Sequence, residues 1–267
     1  VTARARVAAP STAEGAAPRT LAIDIGGTGL KAMVLDAHGK ELTERVRVPT
    51  PRPATPKAIL AALEGMLPRL GAFERVSCGF PGVVVDGATR TAPNLHPSWA
   101  GFDLAGALSQ LTKRPARAIN DAGVQGFGVV KGSGVEMLLT LGTGMGCALF
   151  VDGIYVPNLE LAHHPFRRGK TYEEYVGAAA FEAVGKKKWN RRVQRVVAQI
   201  DPIWNPQHLY LGGGNAKHLT IELPSHVTIT ENVAGLLGGI ALWGAHERAL
   251  HRASASPVPA KARRRPK

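Results

Sequence analysis

The stretch Leu21-Ala-Ile-Asp-Ile-Gly-Gly-Thr-Gly-Leu-Lys31, LAIDIGGTGLK, decides how the chain is read. An apolar run carrying one acid, Asp24, breaks into glycines. Glycines in a turn let backbone amides approach a ligand closely, a frequent device for holding phosphate. The residues after the glycines separate the possibilities. A dinucleotide fingerprint or a P-loop needs a helix directly after them. Here the continuation LKAMVLDAHGKELTERVRVP places apolar residues at Leu30, Ala32 and Val34, then at Leu42, Val46 and Val48, around the turn DAHGK. A period of two predicts strands. The P-loop pattern G-x-x-x-x-G-K-[ST] is also missing at this position. What remains is a hairpin whose glycine turn offers its N–H groups to an anion.

The pattern returns. MLLTLGTGMGCALFVDGIYVP again reads strand, glycine turn, strand, turn, strand, which suggests two duplicated lobes facing one another. Between the copies, TPKAILAALEGMLPRL predicts a helix with Thr55 as its cap, Pro56 first and Ile59, Leu60, Leu63 and Leu67 apolar. RVSCGFPGVVVDG predicts strand, turn and strand. DLAGALSQLTKR predicts a helix capped by Asp103, and PARAIND a strand that ends on two polar residues. AGVQGFGVV predicts a helix despite its glycines. A third glycine cluster, HLYLGGGNAKHL, comes after an apolar strand and is expected to lead into a helix. NVAGLLGGIALWGAHERAL predicts a terminal helix with glycines at close-packing positions.

Composition sets the bounds. The 267 residues, 45% of them hydrophobic, suffice for a large core or two lobes. No apolar run is long enough to span a membrane. The two cysteines, Cys78 and Cys147, sit in strand-like apolar contexts and are expected to be buried, reduced thiols, in keeping with a cytoplasmic setting. Net charge is +13, and residues 251–267 carry six Lys or Arg and no acid. That segment and residues 1–19 are expected to be disordered tails. Weak polyanion contact fits the basic tail, but specific nucleic-acid binding is not expected, because it lacks aromatic and helical patterning.

Taken together, DIGGTGLK, FPGVV, APNLHPSW, IND, LGTGMG, PNLELAHH, YEEY and LGGGNAK resemble the ROK sugar kinases of the actin/hexokinase superfamily, and within them the polyphosphate glucokinases. The resemblance spans roughly residues 20–245 in consistent order. It implies an α/β, two-lobed, actin/hexokinase-like (ribonuclease H-like) fold with the active site in the cleft. The N-terminal lobe is expected over 20–119, joined by the terminal helix at about 233–250, and the C-terminal lobe over 120–232. A homodimer is expected by the same analogy. ROK-type regulators are disfavoured, since about twenty residues before the first strand are too few for a helix-turn-helix domain.

Phosphoryl transfer depends on positioning and charge neutralisation. Gly26, Gly27, Thr28, Gly29 and Lys31 in the first turn, and Gly142, Thr143, Gly144 and Gly146 in the second, are expected to bind phosphates. The resemblance assigns Asp24 to Mg²⁺, held through water. Asp121, at the end of a strand, is expected to act as the general base for a sugar hydroxyl, with helix capping as its alternative duty. The family's sugar-contact positions fall on Asn94, Asn120, Asp121, Glu160, His163 and Glu173, with Glu174 as a neighbouring possibility. Ala162 stands where the family usually has Gly before His163. The family's Cys-rich zinc motif is missing from HHPFRRGKTYEEY, so no zinc is expected.

For the donor, KKKWNRRVQRVVAQI places Lys188, Arg191, Arg192 and Arg195 on one helical face, opposite Trp189, Val193, Val196, Val197 and Ile200. Such a ridge suits inorganic polyphosphate, while a solvated helix face is the plainer reading. LGGGNAK, with Gly212, Gly213 and Gly214, matches the family's adenosine loop, so ATP stays open as a donor. Glucose is the expected acceptor, with mannose or fructose as alternatives.

Overall fold

The structure, a computed structural model, describes residues 17–230 and 238–244. Thr20–Ile25 (β1) and Gly29–Leu35 (β2) pair antiparallel around the first glycine turn, and Val46–Pro49 (β3) pairs with β2. The expected strands form, but the alternation does not describe their exposure. β2 is buried along nearly its whole length, while Leu42 is 46% exposed and lies outside β3. A strand covered on both faces needs no polar alternation.

Pro56–Met66 (α1) starts as the sequence predicts, with the Thr55 hydroxyl accepting from the Ala58 amide. Arg75–Phe80 (β4) comes next, then a small hairpin of Val84–Val85 (β5) and Ala88–Thr89 (β6). Leu104–Thr112 (α2) is capped by Asp103, and Ala116–Asn120 (β7) runs into Asp121–Phe127 (α3). The second copy supplies Val135–Leu141 (β8), Met145–Val151 (β9) and Ile154–Val156 (β10). The hairpin Pro165–Arg167 (β11) and Lys170–Thr171 (β12) precedes Tyr172–Val176 (α4) and Ala178–Trp204 (α5). His208–Gly212 (β13) and Val227–Ile229 (β14) complete the described elements. The helix expected after the third glycine cluster is only a 3-10 turn, Ala216–His218, whose segment is held instead by backbone bonds back to Leu141 and Gly213.

The two five-stranded sheets share one plan. The first has the order β3-β2-β1-β4-β7 and the second β10-β9-β8-β13-β14. In each, three antiparallel strands continue into two parallel ones. Each sheet builds its own apolar core, around Ile25, Phe80 and Trp99 in the first and Trp189, Tyr175 and Leu209 in the second. The helix α3 packs against β4 and β7 of one sheet and β8 and β9 of the other. Its glycines make that possible: a Cβ on Gly126 would overlap the Phe150 ring, and one on Gly123 would lie 2.8 Å from Tyr155 Cζ. Their cost to helix propensity, about 1 kcal/mol each, is offset by packing that no larger residue permits.

Residues 238–244 lie on the first sheet. Ser77 Oγ donates to Gly239 O at 2.6 Å, and Trp243 Nε1 donates to Ser77 Oγ at 2.9 Å. The remainder of the terminal helix expected at about 233–250, and the tails at 1–16 and 251–267, lie outside the described residues. Among the described residues no helix is long and apolar enough to cross a membrane.

Glu136 anchors the start of the second sheet. It is fully buried and accepts from the amides of Lys131, Gly132 and Ser133 and from Tyr210 OH. Burial alone would raise its pKa, but the three amides and the hydroxyl together outweigh it and hold the carboxyl below its ordinary value. The stability this contributes is complete above the ordinary carboxylate range and is lost as pH falls through the lowered pKa. Glu136→Ala is therefore expected to cost about 3 kcal/mol in urea unfolding at pH 7, with the deficit shrinking at acid pH; a deficit independent of pH would contradict the ionic role.

Candidate active site

In the first glycine turn, Gly26 N donates to Gly29 O at 3.1 Å. The turn's other carbonyls are taken from behind by the loop after β3. Thr50 Oγ1 donates to Gly26 O at 2.5 Å, Arg52 Nη2 to Gly27 O at 2.9 Å, and Thr50 N to Thr28 O at 3.4 Å. The amides of Gly27 and Thr28 have no acceptor among the described residues. The second turn is treated alike. Ala178 N donates to Gly142 O at 3.0 Å and Thr143 O at 3.1 Å, and Asn215 Nδ2 to Gly142 O at 3.2 Å. Thr140 Oγ1 and Glu173 Oε2 accept from Gly146 N and Met145 N. The amides of Thr143 and Gly144 are left without an acceptor among the described residues. Two amides in each turn are thus left unpaired among the described residues, and backbone N–H groups presented by a turn in this way are a common form of anion-binding concavity.

Both turns line one cavity of about 490 Å³, with walls from both sheets. It gathers most of the residues picked out from sequence: Asp24, Gly26, Gly27, Thr28 and Lys31; Asn94, Asn120 and Asp121; Gly142, Thr143, Gly144 and Gly146; Glu160, His163 and Glu173; Gly213 and Gly214. Two are not brought in. Gly29 opens β2 behind the turn, where a Cβ would stand 3.2 Å from Arg47 Nε; its role is to close the turn. Gly212 is the buried last residue of β13, packed against Thr230 and Leu138. The ridge Lys188, Arg191, Arg192 and Arg195 also lies elsewhere, on α5 beyond a break at Gly185 (φ 72°), lining a separate groove.

The sequence missed the turns' supports. Thr140 is a lone hydroxyl in the apolar run MLLTL, a signal that was available. Thr50, Arg52 and Asn215 give none, because their partners are distant in the chain.

Asp121 is the first residue of α3. The cap is Asn120, whose Oδ1 accepts from Ala122 N at 2.9 Å and Gly123 N at 3.3 Å. This corrects the capping alternative for Asp121, and it commits most of Asn120, whose Nδ2 donates to Gly82 O. Asp121 Oδ1 accepts from Ala122 N at 2.8 Å. Gly79 gives the residue room, since a Cβ there would stand 3.3 Å from Asp121 Cα. Burial pushes the Asp121 carboxyl up to about 7, helped by the charge of Asp24 and then of Glu160, against the pull of the Ala122 amide.

Asp24 is paired with Lys31 Nζ at 2.7 Å. Burial also raises Glu160, with His163 opposing and Glu173 adding to the rise. His163 Nε2 lies 3.5 Å from Glu160 Oε2, and its side chain is 49% exposed, so it is not a core histidine. Glu173 sits directly on the second turn, where a Cβ on Gly144 would overlap its carboxylate. Cys78 and Cys147 are buried and unpaired, and burial raises both thiols, Cys147 to about 12.

No group of three or more His, Cys, Asp or Glu among the described residues is arranged to hold a metal ion. A magnesium ion that keeps its waters and leans on substrate phosphates needs only one or two carboxylates. Asp24, a hard oxygen donor on the wall beside the first turn, fits that requirement.

Two sheets of one plan, each contributing a glycine turn to a shared cleft, define the actin/hexokinase-like class of α/β fold. The chain belongs to the ROK family, whose model matches residues 20–157. It is 31% identical to a polyphosphate glucokinase of Mycobacterium leprae, over 87% of this chain and 78% of that one. It is 32% identical to a polyphosphate glucokinase of Mycobacterium tuberculosis, over 81% and 88%. Among solved structures, the inorganic polyphosphate/ATP-glucomannokinase of Arthrobacter sp. strain KM superposes with a TM-score of 0.76 at 32% identity, covering 88% of this chain and 99% of that one.

Gly144→Ala is expected to push Glu173 off the turn and misdirect the free amides. Calorimetric affinity for tripolyphosphate should fall by about tenfold or more, with the melting temperature nearly unchanged. Unaltered affinity would mean that these amides do not hold the anion.

Proposed function

We propose that the protein is a glucokinase that transfers a phosphoryl group from inorganic polyphosphate to the 6-hydroxyl of glucose, with ATP as a second donor. The observation that carries this reading is a buried carboxyl, Asp121, pushed up to about 7 and set in one cleft with four amides from two glycine turns that lack acceptors among the described residues. Polyphosphate enters from the likeness to enzymes so named, at 31–32% identity over most of the chain. Gly213 and Gly214 on the cleft wall support ATP.

In this mechanism the donor's terminal phosphate sits against the amides of Gly27, Thr28, Thr143 and Gly144. Glucose is held by Asn94, Glu160, His163 and Glu173, with the remaining Nδ2 hydrogen of Asn120. Asp121 aligns the 6-hydroxyl and takes its proton as the new P–O bond forms. The bridging P–O bond breaks, and its electron pair leaves with the shortened donor. Magnesium, held through water by Asp24, would supply charge neutralisation at the donor. The burial that raises Asp121 toward 7 makes it a stronger base than an exposed aspartate and still leaves it ionised above that pH.

Asp121→Asn is expected to lower kcat by about 10² to 10⁴-fold. The wild-type rate should rise with pH through about 7 as the base form appears. Because the folded pKa lies above the unfolded one, ionised Asp121 costs the native state stability as pH rises from about 4 to 7. The variant should thus melt no lower than the wild type at pH 8. Near-normal turnover in the variant would remove Asp121 as the base. A coupled assay of glucose against mannose, with ATP against polyphosphate, tests substrate and donor directly.

A further inference from the structure

The groove outside the cleft has about 530 Å³ and two basic walls. On α5, Lys187 joins the ridge Lys188, Arg191, Arg192 and Arg195. Facing them, the β11–β12 hairpin contributes Arg168, in its turn at φ 58°, and Lys170, which opens β12. No lining residue is acidic. The neighbouring Glu174 is committed to the cap of α4, accepting from Thr171 N at 2.8 Å.

Part of this charge is fixed in place. Arg192 Nη1 donates to Tyr175 O at 3.1 Å and its guanidinium lies 4.8 Å from the Tyr175 ring centre. Arg195 Nη1 donates to Tyr175 OH at 3.3 Å. Arg168, Lys187, Lys188 and Arg191 are exposed and make no side-chain hydrogen bond or ion pair among the described residues. Crowded like charges repel, and a bound polyanion relieves that cost. The groove offers nothing to read a base or ribose. Tyr175, its one aromatic residue, is 3% exposed and already occupied by the two arginines, so there is no free ring for stacking.

The short helix α4 separates groove from cleft. Glu173 faces the cleft and Tyr175 the groove, as two residues at about 100° per step require. We infer that this groove is a holding site for the body of a long inorganic polyphosphate chain whose terminus reacts in the cleft on the other side of α4. The inference rests on the donor assignment proposed above, and it adds that both walls, hairpin as well as helix, bind the chain, and that donor length matters.

The test is a full-length Lys170→Gln/Lys187→Gln variant, one charge from each wall, assayed with glucose and long-chain polyphosphate, tripolyphosphate or ATP. The expected result is a KM for long-chain polyphosphate raised by about tenfold, with a much smaller change for the two short donors. Added salt should likewise raise the wild-type KM for the long chain most. An equal change for all three donors, or none, overturns the holding site. So does a single-stranded oligonucleotide that competes as strongly as long polyphosphate. If the wild type turns over ATP but polyphosphate of no length, the donor assignment itself fails; if it uses all polyphosphates with one KM, only the groove fails.

Discussion

Everything in the cleft depends on the pairing obligation of the backbone. A glycine turn has amides and carbonyls in equal number, and it becomes an anion receptor only if the carbonyls are removed from contention. Here Thr50, Arg52, Ala178 and Asn215 remove them. Each satisfies a turn carbonyl, which fixes the turn and leaves the amides of Gly27, Thr28, Thr143 and Gly144 without acceptors among the described residues. The two turns reach this state through different partners, a hydroxyl and a guanidinium in one, a helix amide and a carboxamide in the other. The shared feature is the accounting, and the side chains that perform it are free to differ.

The second constraint is steric. One helix, α3, has to touch both sheets and still present its first residue to the cleft. Glycine at 79, 123 and 126 removes the Cβ atoms that would hold the layers apart. That closeness places Asp121 near Asp24 and Glu160, whose charges add to burial in lifting its pKa. Packing and acid–base chemistry at this point are one arrangement seen at two scales.

Charge is divided in space. The cleft collects carboxylates at Asp24, Asp121, Glu160 and Glu173, balanced by Lys31 and the free amides. The cations unsuited to that crowded space are gathered behind α4. Concentrated positive charge therefore stands outside the cleft, and uncharged backbone donors stand inside it. Uncharged donors can hold an anion without neutralising a carboxylate beside them, which a cluster of arginines would do.

The local pieces were legible in the residue order alone: the hairpins, the caps Thr55 and Asp103, the amphipathic α5, and the two glycine turns with Asp24 and Asp121 close by. These arise from interactions within a few residues, which leave a readable period or spacing. Long-range packing settled that Gly29 and Gly212 sit behind the cleft, and that the basic ridge faces a hairpin in a separate groove. It also chose the residues that silence the turn carbonyls. Thr50 and Gly26 are 24 positions apart, and Asn215 and Gly142 are 73 apart. No local pattern encodes such pairs, because what brings them together is the closing of the sheets and loops around them.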